Sequence, residues 1–202
     1  MKKELLVFLL IILVLAIILG IKILVPKDTK TYTGEEIKNK ILSAFDYTNY
    51  TYEYIQDGEK TIKKVRGSII VTENDKNISW VDGNSNTAVS IDKEKKQYVT
   101  FSLNDTTKEL VYKKDFLDMQ SLMDIYGNDF YYISNENYRG RNCLRVKPGK
   151  EETIYLVDEE TGFILKYEPE EGNIAEFNIE INNVKEEDVK MPDLSEYTRA
   201  GS

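Results

Sequence analysis

There is no histidine in these 202 residues, and Cys143 is the one cysteine. The first absence removes Ser-His-Asp and Cys-His catalysis, histidine-ligated zinc and the commonest general base near neutral pH. The second removes internal disulfides and cysteine-rich zinc or iron–sulfur sites, so packing alone must hold the fold. Cys143 itself reads as a small buried strand residue. Basic residues are also short, 27 against 35 acidic, for a net charge of −8. Residues 1–25 hold Lys2, Lys3, Lys22 and Glu4, a net +2, so the remainder stands at −10. That balance argues against nucleic acid as a partner, because phosphate binding needs clustered Lys and Arg.

Carboxylate chemistry and oxygen-ligated calcium stay open after these exclusions. The acidic runs Glu151-Glu152, Asp158-Glu159-Glu160, Glu168 with Glu170-Glu171, and Glu186-Glu187-Asp188 fall at expected turns and strand ends. Solvated edge protection accounts for them, with weak calcium binding as the sharper reading. Acids confined to turns show no sign of the burial that tunes a general acid. With no nucleophile motif either, no enzyme activity, no metal and no cofactor is expected.

What is present begins with a long apolar run. Leu5 to Ile21 carries no charge, Lys22 interrupts it, Ile23-Leu24-Val25 resumes it, and Pro26 ends it. At ~1.5 Å per residue this is helix enough for a hydrocarbon core of about 30 Å. A cleaved signal peptide is the competing reading, but it should end in small residues, which Ile23-Leu24-Val25-Pro26 lacks. The run predicts an uncleaved signal anchor over 1–25, with the N-terminus cytoplasmic and a single-pass cell-membrane location. Residues 26–32 form a polar tether, 33–197 one outward-facing domain, and 198–202 a disordered tail.

Within the domain, Thr33 and Glu36 have capping-box spacing, and Ile37, Ile41, Leu42, Ala44 and Phe45 form one helical stripe. Tyr50, Tyr52 and Tyr54 then alternate with polar residues as in a strand, and Asp57-Gly58 turns the chain back. A run from Thr61 to Glu73 has a bend at Gly67. Asn77–Asp82, Thr87–Ile91 and Gln97–Leu103 complete an antiparallel meander. The period changes at Asp115, where Phe116, Met119, Leu122, Met123 and Tyr126 predict a second helix stopped by Gly127. Strands return at Phe130–Ile133, Cys143–Val146, Thr153–Asp158, Phe163–Glu168 and Asn173–Val184. No strand–helix–strand alternation is present, so the fold class is α+β: a transmembrane helix, then a strongly curved antiparallel sheet of about ten strands holding two helices.

The stretch Tyr155-Leu156-Val157-Asp158-Glu159-Glu160-Thr161-Gly162-Phe163-Ile164-Leu165-Lys166 resembles a hairpin of the LolA-like superfamily, the periplasmic lipoprotein carriers and their membrane-attached Gram-positive envelope and spore relatives. The opening helix, the Tyr-rich strand, Tyr138-Arg139-Gly140-Arg141-Asn142-Cys143, and Asn182-Asn183-Val184 before Met191-Pro192-Asp193-Leu194 agree with it. The resemblance covers about residues 33–197 and implies an open β half-barrel lidded by helices, with an apolar cavity for acyl chains. It implies a membrane-anchored, non-catalytic envelope protein that binds a lipid, a lipidated protein or a similar apolar ligand. A scaffold docking an envelope protein in cell-wall or spore assembly is the alternative. The cavity candidates are Tyr50, Tyr52, Tyr54, Trp80, Tyr98, Phe101, Leu122, Met123, Phe163 and Leu165. They compete with plain core filling; tyrosine, with its hydroxyl, suits a wet cavity mouth or a partner surface better than a dry core.

Overall fold

The computed structural model describes residues 30–56, 58–108 and 119–200, with residues 56 and 119–121 as backbone only. From Tyr32 onward the chain forms one compact unit. Helix α1 (Gly34–Leu42) starts on the capping box read from the sequence: Glu36 N–H donates to Thr33 Oγ1 at 3.2 Å, and Thr33 N–H donates to Glu36 Oε2 at 2.8 Å. Two of the backbone donors at the helix start thereby gain acceptors. One 3-10 turn later the chain enters the sheet.

The strands are β1 (Asn49–Gln56), β2 (Glu59–Arg66), β3 (Ile69–Glu73), β4 (Asn77–Asp82), β5 (Thr87–Asp92) and β6 (Gln97–Ser102), followed by helix α2 (Met119–Tyr126). Then come β7 (Phe130–Tyr138), β8 (Arg141–Pro148), β9 (Ile154–Asp158), β10 (Ile164–Glu168), β11 (Ala175–Ile181) and β12 (Thr198–Arg199). All twelve lie in one sheet in the order β12-β6-β5-β4-β3-β2-β1-β11-β10-β9-β8-β7, antiparallel except for β12 beside β6. The two meanders thus join through β1 and β11. The sheet curls: Arg141 on β8 donates to Ile179 O on β11, three strands away, at 3.0 Å. In a flat sheet those strands stand ~14 Å apart, beyond the reach of one arginine.

Three differences from the sequence reading have physical causes. The run Thr61–Glu73 is two strands, because Gly67 takes φ +59 and its N–H bonds back to Thr48 O, turning the chain where a bend was expected. Phe130–Ile133 and Cys143–Val146 extend into a long hairpin over Arg139-Gly140, both at positive φ, since polar Asn135 and Asn137 continue the ladder without an apolar signal. Thr198–Arg199, placed in a disordered tail from the sequence, pair with Gln97 and Tyr98.

The fold class itself needs correction. The architecture is dominated by the twelve-stranded sheet, and among the described residues no helix is long and apolar enough to cross a membrane. A transmembrane helix as part of the fold, and with it the single-pass membrane location, is therefore not upheld. The Leu5–Val25 run that suggested both lies outside the described residues.

Two apolar clusters occupy the two faces. On one face, Ile37 and Ile41 of α1 and Met123 of α2 pack with Tyr50, Tyr52, Val65, Phe163 and Phe177. Full burial of Ile37 and Ile41 is worth about 2–3 kcal/mol each. On the opposite face, Val71, Trp80, Val89 and Ile91 lie under Val184, Val189, Leu194 and Tyr197 of the segment after β11. Trp80 Nε1 donates to Val189 O at 2.9 Å, so that segment is tied down as well as packed.

Candidate functional site

Strand pairing aligns residues on the helix-side face into rows that cross the sheet. One row reads Ile181, Tyr50, Val65, Ile70, Val81, Ala88, Phe101. The next reads Ile179, Tyr52, Lys63, Thr72, Ser79, Ser90, Val99. Side chains in a strand alternate faces, so every member of these rows points to the helix side.

At the β1–β11 end the rows are filled. Tyr52 stacks on Phe177 with centroids 5.3 Å apart and planes 7° apart, and Phe163 lies 5.1 Å from Tyr50 and 6.0 Å from Tyr52. Tyr52 is 2% exposed; its hydroxyl donates to Ile164 O at 3.3 Å, and burial pushes its pKa well above the ordinary value. Leu165 and Met123 are buried in the same cluster, and Leu122 and Tyr54 are half-buried at its border. At the β6 end the face opens: Phe101 is 47% exposed and Val99 41% exposed, beside exposed Ser79 and half-buried Ser90.

The ten residues selected from the sequence are therefore divided. Tyr50, Tyr52, Phe163, Leu165 and Met123 are core, Tyr54 and Leu122 border it, and Phe101 is exposed on the same face. Trp80 and Tyr98 belong to the opposite face and the other cluster. Their parity in β4 and β6, opposite to that of Val81 and Phe101, carried that information. Val99 was not among the ten, although its two-residue spacing from Phe101 in β6 places it on the same face.

The Asp158–Gly162 motif has a local structural role. Asp158 accepts from Thr161 Oγ1 at 2.6 Å and from Arg141 Nη1 at 2.8 Å, and Gly162 N–H donates to Asp158 O. Gly162 has φ +80, and a Cβ there would lie 2.0 Å from Lys40 O of α1, so the glycine lets helix and turn touch. Around it a cleft of about 630 Å³ is lined by Gly140, Arg141, Asn142, Asp158, Glu159 and Glu160. A second cleft, of about 610 Å³, lies at the β1–β2 and β3–β4 turns and is lined by Tyr54, Gly58, Glu59, Thr61, Asn74, Asp75 and Lys76. Among the described residues no group of three or more Asp, Glu or Cys is placed to hold a metal ion.

Geometry of this kind defines one large curled antiparallel sheet with an apolar face exposed at one end. No family model matches the chain, and no curated protein matches it. Among solved structures, an uncharacterized conserved protein from Thermus thermophilus is similar at 10% identity and TM-score 0.48, over 82% of this chain and 98% of that one. A DUF1329 family protein from Desulfovibrio piger is similar at 10% identity and TM-score 0.27, over 78% of this chain and 98% of that one. Neither likeness carries an argument about function.

Proposed function

We propose that this domain is a non-catalytic binding module that holds an acyl chain, free or attached to a protein, against the helix-side face of its sheet over β4–β6. The observation behind this reading is Phe101 and Val99, two large apolar side chains exposed at the open end of a face whose other end is buried core. Covering them extends the existing apolar cluster and removes two side chains from water, each worth about 1–2 kcal/mol of binding when covered. Ser79 and Ser90 offer hydroxyls beside that floor to a carbonyl or ester group. The fatty-acid-like reading implied by the LolA-like resemblance agrees with this arrangement, which follows independently from the register.

Displacement of a dansylated C11 fatty acid by palmitate from the full chain tests it. Phe101→Asp and Val99→Asp should each weaken probe binding about tenfold, one such step being ~1.4 kcal/mol. Emission from Trp80, on the opposite face, should stay unchanged in both variants. Failure of the probe to bind, or binding by both aspartate variants as tight as that of the unsubstituted chain, rejects the reading.

One observation favours a protein partner instead. Ala200 N–H donates to Tyr98 O and Thr198 N–H to Lys96 O, so β12 adds to the outer edge of β6. By alternation Thr100 and Ser102 turn their backbone groups to the same edge, beyond the last residue of β12, and are exposed. An extended partner segment fits there by strand addition. Protection of the Thr100 and Ser102 amides from exchange by a captured partner, without fatty-acid competition, would favour this reading.

A further inference from the structure

Past β11 the chain crosses the Trp80 face as a strap and ends as β12 on the outer edge of β6. The two halves of this strap are fastened differently. In the first half the Asn49 side chain donates to Val184 O at 3.1 Å and accepts from Val184 N–H at 3.0 Å. Arg66 donates to the same carbonyl at 2.7 Å, and the Trp80 indole donates to Val189 O. Val184 and Val189 are fully covered. In the second half Leu194 and Tyr197 are half-buried, and both residues of β12 are exposed. β12 is a two-residue parallel pairing, the less stable kind of ladder. The second half is therefore free to leave the sheet while the first stays in place.

Register shows how little of the edge strand β12 covers. Thr198 lies beside Gln97 and Arg199 beside Tyr98. The Ala200 N–H donates to Tyr98 O at 2.8 Å, which carries the same register on to Ala200 beside Val99. Strand alternation puts Thr198 and Ala200 on the helix-side face with Gln97, Val99 and Phe101. A single methyl group beside Val99, with no residue of β12 beside Phe101, leaves those two side chains 41% and 47% exposed. A longer strand with large apolar residues at the alternate positions would cover both. It would also remake every backbone bond that β12 gives up. Hydrogen bonding is then equal before and after the exchange, and the added apolar burial decides its direction.

We propose that β12 is a placeholder on the β6 edge, displaced by an extended partner segment that runs parallel to β6 and carries large apolar residues at alternate positions facing Val99 and Phe101. This inference rests on the strand-addition reading above and adds to it the partner's residue pattern and the step that admits it.

The test is titration of the full, 15N-labelled chain with the N-acetylated, C-amidated peptide Glu-Thr-Ile-Thr-Ile-Thr-Lys, which has no net charge. Saturable binding is expected to move the Thr198 and Ala200 amides to unpaired positions, while the Trp80 indole resonance, reporting the first half of the strap, stays unchanged. The peptide with alanine at both isoleucines, and the one N-methylated at both, should bind at least about tenfold more weakly, through lost apolar burial and lost ladder donors respectively. Thr198→Pro removes the N–H bonded to Lys96 O and should tighten peptide binding about tenfold. Ala200→Ile improves the placeholder over Val99 and should weaken it about tenfold. Amide dispersion reports that each variant is folded; should Thr198→Pro unfold, Ala200→Ile decides. Binding with the Thr198 and Ala200 amides still paired overturns the displacement and leaves strand addition beyond β12 standing, as does equal affinity in both variants. No binding by the unsubstituted chain or by folded Thr198→Pro overturns the displacement and the strand-addition reading together.

Discussion

Arg141 holds Asp158 across 2.8 Å while the Asp158 side chain is only 2% exposed, and the same guanidinium donates to Ile179 O on β11. One arginine thus satisfies a buried carboxylate and pins the end of the β7–β8 hairpin across β9 and β10. The neighbouring pair Arg139–Glu176, at 2.5 Å, makes a similar reach with side chains 51% and 45% exposed.

These two pairs should differ sharply in stability. Arg141→Met strands the Asp158 charge with Thr161 as its remaining side-chain partner and should cost about 3 kcal/mol. Arg139→Met breaks a solvated pair and should cost under about 1 kcal/mol. Urea unfolding of both variants, followed by Trp80 emission, checks this; equal losses would mean that the burial of Asp158 is irrelevant.

Gly162 and Gly67 both have positive φ, but only Gly162 lies against another backbone. Alanine at Gly67 meets open space and should cost about 1–2 kcal/mol of left-handed strain. At Gly162 the same strain is joined by contact with Lys40 O, and α1 must move, so the loss should exceed about 3 kcal/mol. Thermal midpoints of the two variants give the comparison, with the larger drop expected for Gly162→Ala.

Alkaline pH should weaken the fold in two overlapping stages. Burial, with Asp158 close by, pushes the Cys143 thiol from its ordinary 9.0 up to about 11. Burial, with the Glu176 carboxylate close by, pushes the Tyr138 hydroxyl from 10.0 up to about 12. Both groups are protonated longer in the folded chain than in the unfolded one, so the folded state binds more protons across each interval. The stability linked to Cys143 is complete below about pH 9 and lost by about pH 11; that linked to Tyr138 is lost between about pH 10 and 12. Urea midpoints measured from about pH 8 to about pH 11 should fall, and Cys143→Ala should flatten the first stage. A midpoint independent of pH in that interval would contradict the assignment.

Much of the domain is legible in the sequence because its signals are local. The Thr33–Glu36 capping box, the alternation of Tyr50, Tyr52 and Tyr54, and the Asp158–Gly162 turn each depend on residues within about five positions, and each forms as read. The candidate site was legible only in part. Aromatic type marked Tyr50 and Phe101 alike, yet one is 3% and the other 47% exposed. The difference is decided by which helix covers which end of the row, and that is a long-range property.

By itself the sequence determined the exclusions and the local grammar: no histidine or multi-cysteine chemistry, an acidic chain, strands of period two and glycine-marked turns. Tertiary structure decided how those strands assemble. Pairing of β1 with β11 joins two meanders into one sheet, and the segment after β11 packs over Trp80 while Phe101 on the other face stays exposed. The reason is physical: register and covering depend on contacts between residues more than a hundred positions apart, and no local pattern encodes which pair will meet.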